Sequence, residues 1–165
     1  MMEKLLALFA EILDYPGPGL AELTLACEEQ VCESAREGLR EFRRFVTAMP
    51  REKLEEAYTE TFDLAVERCP YVGYHLFGDG YNRSRFLQEL NARYRASGFE
   101  SGSELPDHLP VLLRYLAAGE GRAEREEILR EAIEPALEKM TTAHAGPRSG
   151  YDPVLRSLAA ALKGV

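Results

Sequence analysis

Apolar residues recur every three or four positions along almost the whole chain, and prolines and glycines interrupt this pattern at intervals. A period near 3.6 residues predicts amphipathic helices, and no stretch shows the sustained alternation of a strand. Helices that are apolar on one face must pack on one another to bury that face. A length of 165 residues suits one domain. The sequence therefore predicts an all-α fold, a single-domain bundle of about six to eight helices over residues 1–165.

The breaks in the pattern divide the chain into helical segments. Residues 20–49 form either one long helix or two helices that meet near Gly38, and residues 71–77 suit either a strand or a buried helical turn. Pro135 is expected to kink its helix or shift its register. Asp152 is expected to cap the last helix, with proline following. Helices are expected over residues 1–13, 20–49, 54–65, 82–94, 109–116, 128–140 and 152–162.

The charge and the amino-terminal segment limit the class of protein. Twenty Lys and Arg residues against 28 Asp and Glu residues give a net charge of −8, which argues against binding nucleic acid or anionic membranes. Glu3, Lys4 and Glu11 interrupt the amino-terminal apolar run, so it does not resemble a signal peptide. No stretch approaches the roughly 20 apolar residues of a membrane span. We expect a cytoplasmic protein with no direct membrane insertion.

The least typical stretch is Glu104–Pro110, in which two prolines bracket an Asp-His pair. Pro106 restricts the backbone before it, and Pro110 suits the first turn of a helix. Asp107 is expected to cap the helix that follows it, and His108 is expected to be largely neutral near the positive end of the helix dipole. From residue chemistry alone, the stretch is a stiff loop and a well-capped helix start.

Sequence motifs give little support for catalysis. His75, Asp79, Asp107, His108 and His144 lack the spacing of a helical metal site, so no metal or other cofactor is expected. A small hydrolase or metal-dependent enzyme that uses Asp107 and His108 remains the alternative from a different class. The three cysteines lack C-x-x-C spacing, indicating reduced and mostly buried thiols, and no cysteine stands beside a histidine in the sequence. They are Cys27, Cys32 and Cys69.

A family resemblance rests on several segments in the same order. Tyr58 to Asp63 resembles the Y-x-x-x-F-D signature of the nitrate reductase delta-subunit (NarJ) chaperones, and Glu104 to Pro110 matches their E-L-P-D-H-L-P motif in full. Leu76 to Arg83 is similar to the apolar run, turn and basic residue of that family, although its turn differs. Leu13 to Pro16 resembles an early L-x-Y-P element. The last third of the chain matches only as helices.

The resemblance implies the all-helical fold of the TorD/DmsD-like redox-enzyme maturation proteins and no catalysis. Such chaperones bind the amino-terminal tail of a molybdoenzyme catalytic subunit in the cytoplasm until molybdenum cofactor is inserted. Respiratory nitrate reductase is the expected client, and chlorate, selenate or dimethyl sulfoxide reductase are the alternatives. Acidic residues suit a basic, amphipathic tail. We expect a monomer or weak homodimer.

The resemblance also gives a set of expected peptide-binding residues. They fall in the two best-matched motifs, one on the third predicted helix and one in the proline-bracketed stretch. Asp63 is of further interest, because an acidic side chain near a helix end opposes the helix dipole and suggests a specific partner. The expected residues are Tyr58, Phe62, Asp63, Glu104, Leu105, Pro106, Asp107, His108, Leu109 and Pro110.

Overall fold

The computed structural model describes residues 1–119, 121–142 and 148–164, and helices contain most of them. Two π-helical segments, Thr59–Asp63 and Leu129–Ile133, and a short 3-10 turn, Val66–Arg68, complete the helical structure. The α-helices are α1 (Met2–Ile12), α2 (Leu20–Glu28), α3 (Glu33–Ala48), α4 (Arg51–Tyr58), α5 (Val72–Phe77), α6 (Tyr81–Ser97), α7 (Leu109–Ala118), α8 (Arg122–Ile128), α9 (Glu134–Thr141) and α10 (Asp152–Lys163).

The helices form a closed arrangement around an apolar core. Neighbouring helices follow the order α7, α1, α2, α3, α10, α9, α5 and α6. Tyr94 of α6 then contacts Tyr115 of α7, with ring centroids 4.6 Å apart, and this closes the circle. Within the described residues there is no strand, only one isolated antiparallel bridge between Tyr71 and His108. The predicted all-α fold is confirmed.

The helix boundaries agree with most of the predicted breaks. Helices α8 and α9 are continuous through a π segment, so the described residues form nine helices. The count exceeds the expected range because residues 71–77, which suited a strand or a helical turn, form the separate short helix α5. The register shift expected at Pro135 is present as the π segment before it, where the wider turn accommodates the proline ring.

The break near Gly38 was placed wrongly, since residues 20–49 divide at 29–32 instead. Gly38 lies inside α3 at its crossing with α10. A Cβ atom there would overlap the Ser157 hydroxyl and lie 2.5 Å from the Pro153 carbonyl oxygen. The glycine therefore permits close approach of two helices and does not end one.

An aromatic cluster fills the core between α3, α4 and the start of α10. Tyr151 is at its centre, fully buried, with its ring centroid 5.0 Å from that of Phe42 and 5.2 Å from that of Phe62. Tyr58 contacts both Phe62 and Tyr151. Tyr58 and Phe62, on the third predicted helix, therefore belong to the core.

One of the three cysteines is exposed. Cys27 is buried and Cys69 half-buried, but Cys32 is exposed at the start of α3, so the expectation of mostly buried thiols fails for Cys32. None of the helices in the described ranges is both long and apolar enough to cross a membrane.

Replacement of Phe62 by alanine should lower the free energy of unfolding by about 3–5 kcal/mol, because the ring is buried and a cavity would remain. Urea denaturation monitored by circular dichroism measures this change. Leu64→Ala is the matched control, since Leu64 is 72% exposed two residues away and should change stability by less than about 0.5 kcal/mol. Equal stability losses in the two variants would contradict the core assignment.

Candidate functional site

The proline-bracketed stretch pairs with the chain that enters α5. The Val72 N–H donates to the Asp107 carbonyl oxygen (2.9 Å), and the Leu109 N–H donates to the Pro70 carbonyl oxygen (2.7 Å). These bonds flank the bridge between Tyr71 and His108. Segments more than 30 residues apart in sequence are thus fixed side by side.

The Asp107 carboxylate is completely buried and accepts hydrogen bonds from two other parts of the chain. Its Oδ2 accepts from the Gly73 N–H (3.1 Å) and from Arg83 Nε (3.1 Å), and its Oδ1 accepts from Arg83 Nη2 (3.3 Å). The expectation that Asp107 caps its own helix is wrong. Helix α7 begins at Leu109 with His108 as its N-cap residue, so Asp107 stands one position too early and instead caps α5.

Gly73 leaves the space that this buried ion pair occupies. A Cβ atom on Gly73 would lie 2.7 Å from Asp107 Oδ2 and 2.9 Å from a ring carbon of Phe86. Both distances are shorter than van der Waals contact, so any side chain here would displace the carboxylate. The guanidinium of Arg83 also lies 5.5 Å from the centre of the Tyr71 ring, which places it in cation–π range.

His108 is buried beside this pair. Its side chain has an exposed fraction of only 4%, and its ring centroid lies 5.6 Å from that of Tyr71. Burial lowers the pKa of His108, while the carboxylates of Glu104 and Asp14 oppose that change. A neutral imidazole was expected from the helix dipole, and the structure gives the same direction with burial as the main cause.

Three of the matched motifs meet at one face of the molecule. Tyr15 contacts Tyr58 edge-on, with ring centroids 5.3 Å apart. Burial raises the pKa of Tyr58, and the carboxylates of Asp14, Asp63 and Glu104 add to the rise. A carboxylate from each motif therefore lies within electrostatic range of one tyrosine.

Two of these carboxylates, those of Asp63 and Glu104, also act on Tyr71. Its hydroxyl donates to Glu104 Oε2 at 3.2 Å. Burial raises the pKa of Tyr71 to about 12, and Glu104, Asp107 and Asp63 contribute to this change. This face therefore carries several carboxylates, which lie next to tyrosine rings.

An acidic groove of about 500 Å³ opens next to this face, along α4 and the π segment. Tyr15 and Leu64 supply apolar surface to it, and Leu64 and Tyr15 are 72% and 54% exposed. In the described part of the chain, Glu52, Glu60, Asp63 and Glu104 form no ion pair, whereas Glu55 and Glu56 pair with Arg51 and Lys53. The acidic groove is defined by Tyr15, Glu52, Glu55, Glu56, Thr59, Glu60 and Leu64.

A cysteine-histidine pair that the sequence did not indicate lies nearby. Cys69 Sγ is 3.6 Å from His75 Nε2, and the same ring nitrogen is 2.7 Å from the Cys69 carbonyl oxygen. Burial raises the pKa of Cys69, so its thiol stays protonated and is a poor nucleophile. No three His, Cys, Asp or Glu side chains are placed to hold a metal ion within the described ranges, and His144 lies outside them.

Comparison with known proteins identifies the family. The nitrate reductase delta subunit family matches residues 28–147, which is more than half of the chain. This chain belongs to that family. The resemblance of the sequence to this family is thereby confirmed.

Curated relatives and one solved structure agree with this membership. The NarJ nitrate reductase molybdenum cofactor assembly chaperone of Escherichia coli K12 is 29% identical over 119 residues, covering 68% of this chain and 50% of that protein. A Bacillus subtilis 168 protein with the description "Probable nitrate reductase molybdenum cofactor assembly chaperone NarJ" is 35% identical over 136 residues, covering 79% of this chain and 70% of that protein. The chain spans about half the length of the E. coli relatives it matches.

The solved structure shows the fold. A crystal structure of a protein assigned as a redox enzyme maturation protein from Archaeoglobus fulgidus superposes with a TM-score of 0.71 at 21% identity. The match covers 99% of this chain and 94% of that chain.

Seven of the ten expected peptide-binding residues are buried, and three are exposed. The exposed residues are Asp63, Glu104 and Leu105. The helix dipole suggested a specific partner for Asp63. Within the described residues Asp63 forms no ion pair, so that partner is not a cation of this part of the chain. Arg83, Tyr15 and Leu64 were not in the expected set, although Arg83 and Tyr15 lie in the matched segments Leu76–Arg83 and Leu13–Pro16. The buried residues are Tyr58, Phe62, Pro106, Asp107, His108, Leu109 and Pro110.

Removal of one partner of the buried Asp107–Arg83 pair should be costly, because the other charge would stay buried. We expect Asp107→Ala to lower the free energy of unfolding by about 3–5 kcal/mol. Asp79→Ala is the matched control: Asp79 contacts the same arginine at 3.5 Å but is solvent-exposed, so about 0–1 kcal/mol is expected. Chemical denaturation measures both. Similar small losses in the two variants would show that the Asp107 pair does not organise the site.

The lowered pKa of His108 predicts a specific acid sensitivity. A histidine in the unfolded chain has a pKa of about 6.5. The folded state binds its proton only at lower pH, so the contribution of neutral His108 is complete above that value and lost as pH falls. Stability measured from pH 8 to 5 should therefore decline less in His108→Gln than in the natural chain. Parallel declines would contradict the direction of this pKa change.

Proposed function

We propose that this chain is an assembly chaperone for a molybdoenzyme, with respiratory nitrate reductase as the expected client. It binds the amino-terminal tail of the catalytic subunit in the cytoplasm and supports molybdenum cofactor insertion, without catalysis of its own. The E. coli and B. subtilis relatives carry the description of nitrate reductase molybdenum cofactor assembly chaperones, which supports the proposal.

The observation that carries the proposal is the convergence of the family motifs on one acidic, partly apolar face. Asp14, Asp63 and Glu104 come from three separate motifs and lie within range of Tyr58. Leu64 and Leu105 expose apolar side chains at or next to the same motifs. An exposed apolar surface rimmed by charge is typical of a surface that binds another protein.

This face suits a short amphipathic segment with basic residues. The apolar side of such a helix packs against Tyr15 and Leu64 in the acidic groove. Its Lys and Arg side chains pair with Glu60, Asp63 and Glu104, which form no ion pair within the described residues. Complementary charge also accelerates encounter and aids selection of the correct tail.

The buried motif residues support this surface from below. Asp107 and Arg83 fix the stretch that presents Glu104 and Leu105, and Phe62 fixes the helix end that presents Asp63. In this proposal the exposed members of the expected set contact the client. The buried members hold those contacts in place.

A hydrolase that uses Asp107 and His108 is not supported. Both Asp107 oxygens accept hydrogen bonds from Arg83, and one also accepts from the Gly73 N–H. The carboxylate is inaccessible to solvent, so no substrate reaches it. A general base needs hydrogen-bond access to a substrate proton, and this carboxylate offers none.

Isothermal titration calorimetry tests the proposal directly. The titrant is a synthetic peptide of the amino-terminal segment of the nitrate reductase catalytic subunit from the same organism, and a scrambled peptide is its control. We expect specific binding that weakens as ionic strength rises, since exposed charges are screened within about 8–10 Å near physiological salt. Equal affinity for the natural and scrambled peptides would contradict the proposal.

Charge-neutralising variants locate the interface. Glu60→Gln combined with Asp63→Asn should weaken binding about two- to tenfold and reduce its salt dependence. Glu126→Gln combined with Glu131→Gln removes the same charge from exposed positions of α8 and the following π segment, and it should leave affinity unchanged. If both double variants bind equally well, the acidic groove is not the client site.

A further inference from the structure

A five-residue segment at the end of the first π segment, Asp63–Glu67, lies on the surface. All of its side chains are exposed except that of Ala65, which is half-buried. Leu64 and Val66 have exposed fractions of 72% and 60%, so two large apolar side chains two positions apart lie in solvent. Exposed apolar side chains that lie together and are flanked by charge mark sites of interaction with other proteins.

The polar side chain before this segment is tied to a distant turn. Thr61 is buried, and its hydroxyl donates to the Ala57 carbonyl oxygen at 2.6 Å. The Ser149 hydroxyl also contacts the Thr61 hydroxyl. Since Thr61 gives its only hydroxyl proton to Ala57, Ser149 is the donor in this contact. The Ser149 oxygen in turn accepts from the Tyr151 N–H at 3.0 Å. The π segment is thereby fixed to a turn 88 positions later in the sequence.

The charged side chain after the segment is tied to the same turn. Arg68 is buried, and its Nε and Nη2 donate to the two carboxylate oxygens of Asp152 at 2.7 and 3.2 Å. Asp152 Oδ2 also accepts from the Ser149 N–H at 2.9 Å. Ser149 and Asp152 thus belong to one hydrogen-bonded turn, Ser149–Asp152. This turn holds the exposed segment at both ends.

We propose that the turn Ser149–Asp152 is a positioning element of the client site. It holds the segment Asp63–Glu67 in one arrangement, so that Leu64 and Val66 contact the apolar side of the client tail. This inference rests on the proposed function and extends the site beyond residue 147, where the family match ends. The residues of the turn act through the segment and do not touch the client.

The composition of the segment fits a basic, amphipathic tail. Its apolar side chains lie between two carboxylates, Asp63 and Glu67, which form no ion pair among the residues that the structure describes. Leu64 also lines the acidic groove, and Glu67 follows it by three residues, at most about 11 Å of extended chain. A tail bound in the groove therefore reaches both apolar side chains and both carboxylates.

A fixed segment favours binding because the tail does not have to order it. Each side chain that a complex must immobilise lowers the affinity by about two- to tenfold. In the free protein, the contacts of Thr61 and Arg68 with the turn already restrict the segment. Loosening one of these contacts should therefore weaken binding without removing any group that touches the client.

Ser149→Ala removes the contact with Thr61 and should lower affinity for the synthetic client peptide about two- to tenfold in isothermal titration calorimetry. Ser157→Ala is the matched control. It removes another serine hydroxyl near the start of α10, which donates to the Ala35 carbonyl oxygen at 2.7 Å and also joins distant segments. The control should lower the thermal midpoint to a similar degree and leave affinity unchanged. Equal losses of affinity in the two variants would overturn the inference.

Thr61→Val breaks the same contact from the other side, and it replaces Ser149→Ala in every measurement if that variant does not fold. It should lower affinity for the peptide over the same range. Unchanged affinity in a folded Thr61→Val protein would overturn the positioning role.

Two further measurements separate positioning from general stability. In a chain that already carries Leu64→Ala and Val66→Ala, Ser149→Ala should cost less affinity than in the natural chain, because fewer contacts remain to be positioned. Hydrogen exchange of the backbone amides of residues 64–67 should be faster in Ser149→Ala, and bound peptide should slow it in the natural chain. The same fold-loss in both backgrounds, or exchange that bound peptide does not change, would overturn the inference.

The outcomes distinguish this inference from the function on which it rests. If the natural chain binds the peptide and Ser149→Ala binds it equally well, the positioning role is overturned and the chaperone proposal stands. If the natural chain fails to bind the peptide, the proposed function fails and the positioning role fails with it.

Discussion

The buried ion pair between Asp107 and Arg83 is the interaction on which the candidate site depends. Removing a carboxylate from water is expensive, and here two guanidinium nitrogens and the Gly73 N–H compensate for the loss of hydration. The pair joins the start of α5, the start of α6 and the loop before α7. Those segments cannot shift independently without breaking it, so the exposed residues Glu104 and Leu105 are presented in one arrangement.

Asp152 also forms an ion pair with an arginine from a distant segment. Asp152 was expected to be the N-cap of α10, but Tyr151 is the cap position, and the Asp152 carboxylate accepts from Arg68 at 2.7 and 3.2 Å and from the Ser149 N–H. In both cases an acidic residue close to a proline-containing helix start binds an arginine from a distant segment. Each pair connects segments that are far apart in the sequence.

The distribution of charge separates structural carboxylates from those available to a partner. Asp107 and Asp152 are satisfied by arginines inside the fold, whereas Glu60, Asp63 and Glu104 are exposed and form no ion pair within residues 1–119, 121–142 and 148–164. A negative net charge alone indicated only solubility or a basic partner. The position of these exposed carboxylates beside exposed apolar residues favours the proposed partner, a basic and amphipathic segment.

The sequence by itself determined the all-α fold, most helix boundaries and the family. These depend on local properties: the 3.6-residue apolar period, breaks at proline and glycine, and contiguous motifs such as Glu104–Pro110. Tertiary structure decided the partner of Asp107, because Arg83 is 24 residues away and no local rule connects them. It also decided that His108 is buried and that Leu64 is exposed, since both depend on which helices pack together. The capping expectation failed for Asp107 because α7 begins at Leu109, which leaves His108 rather than Asp107 at the N-cap position.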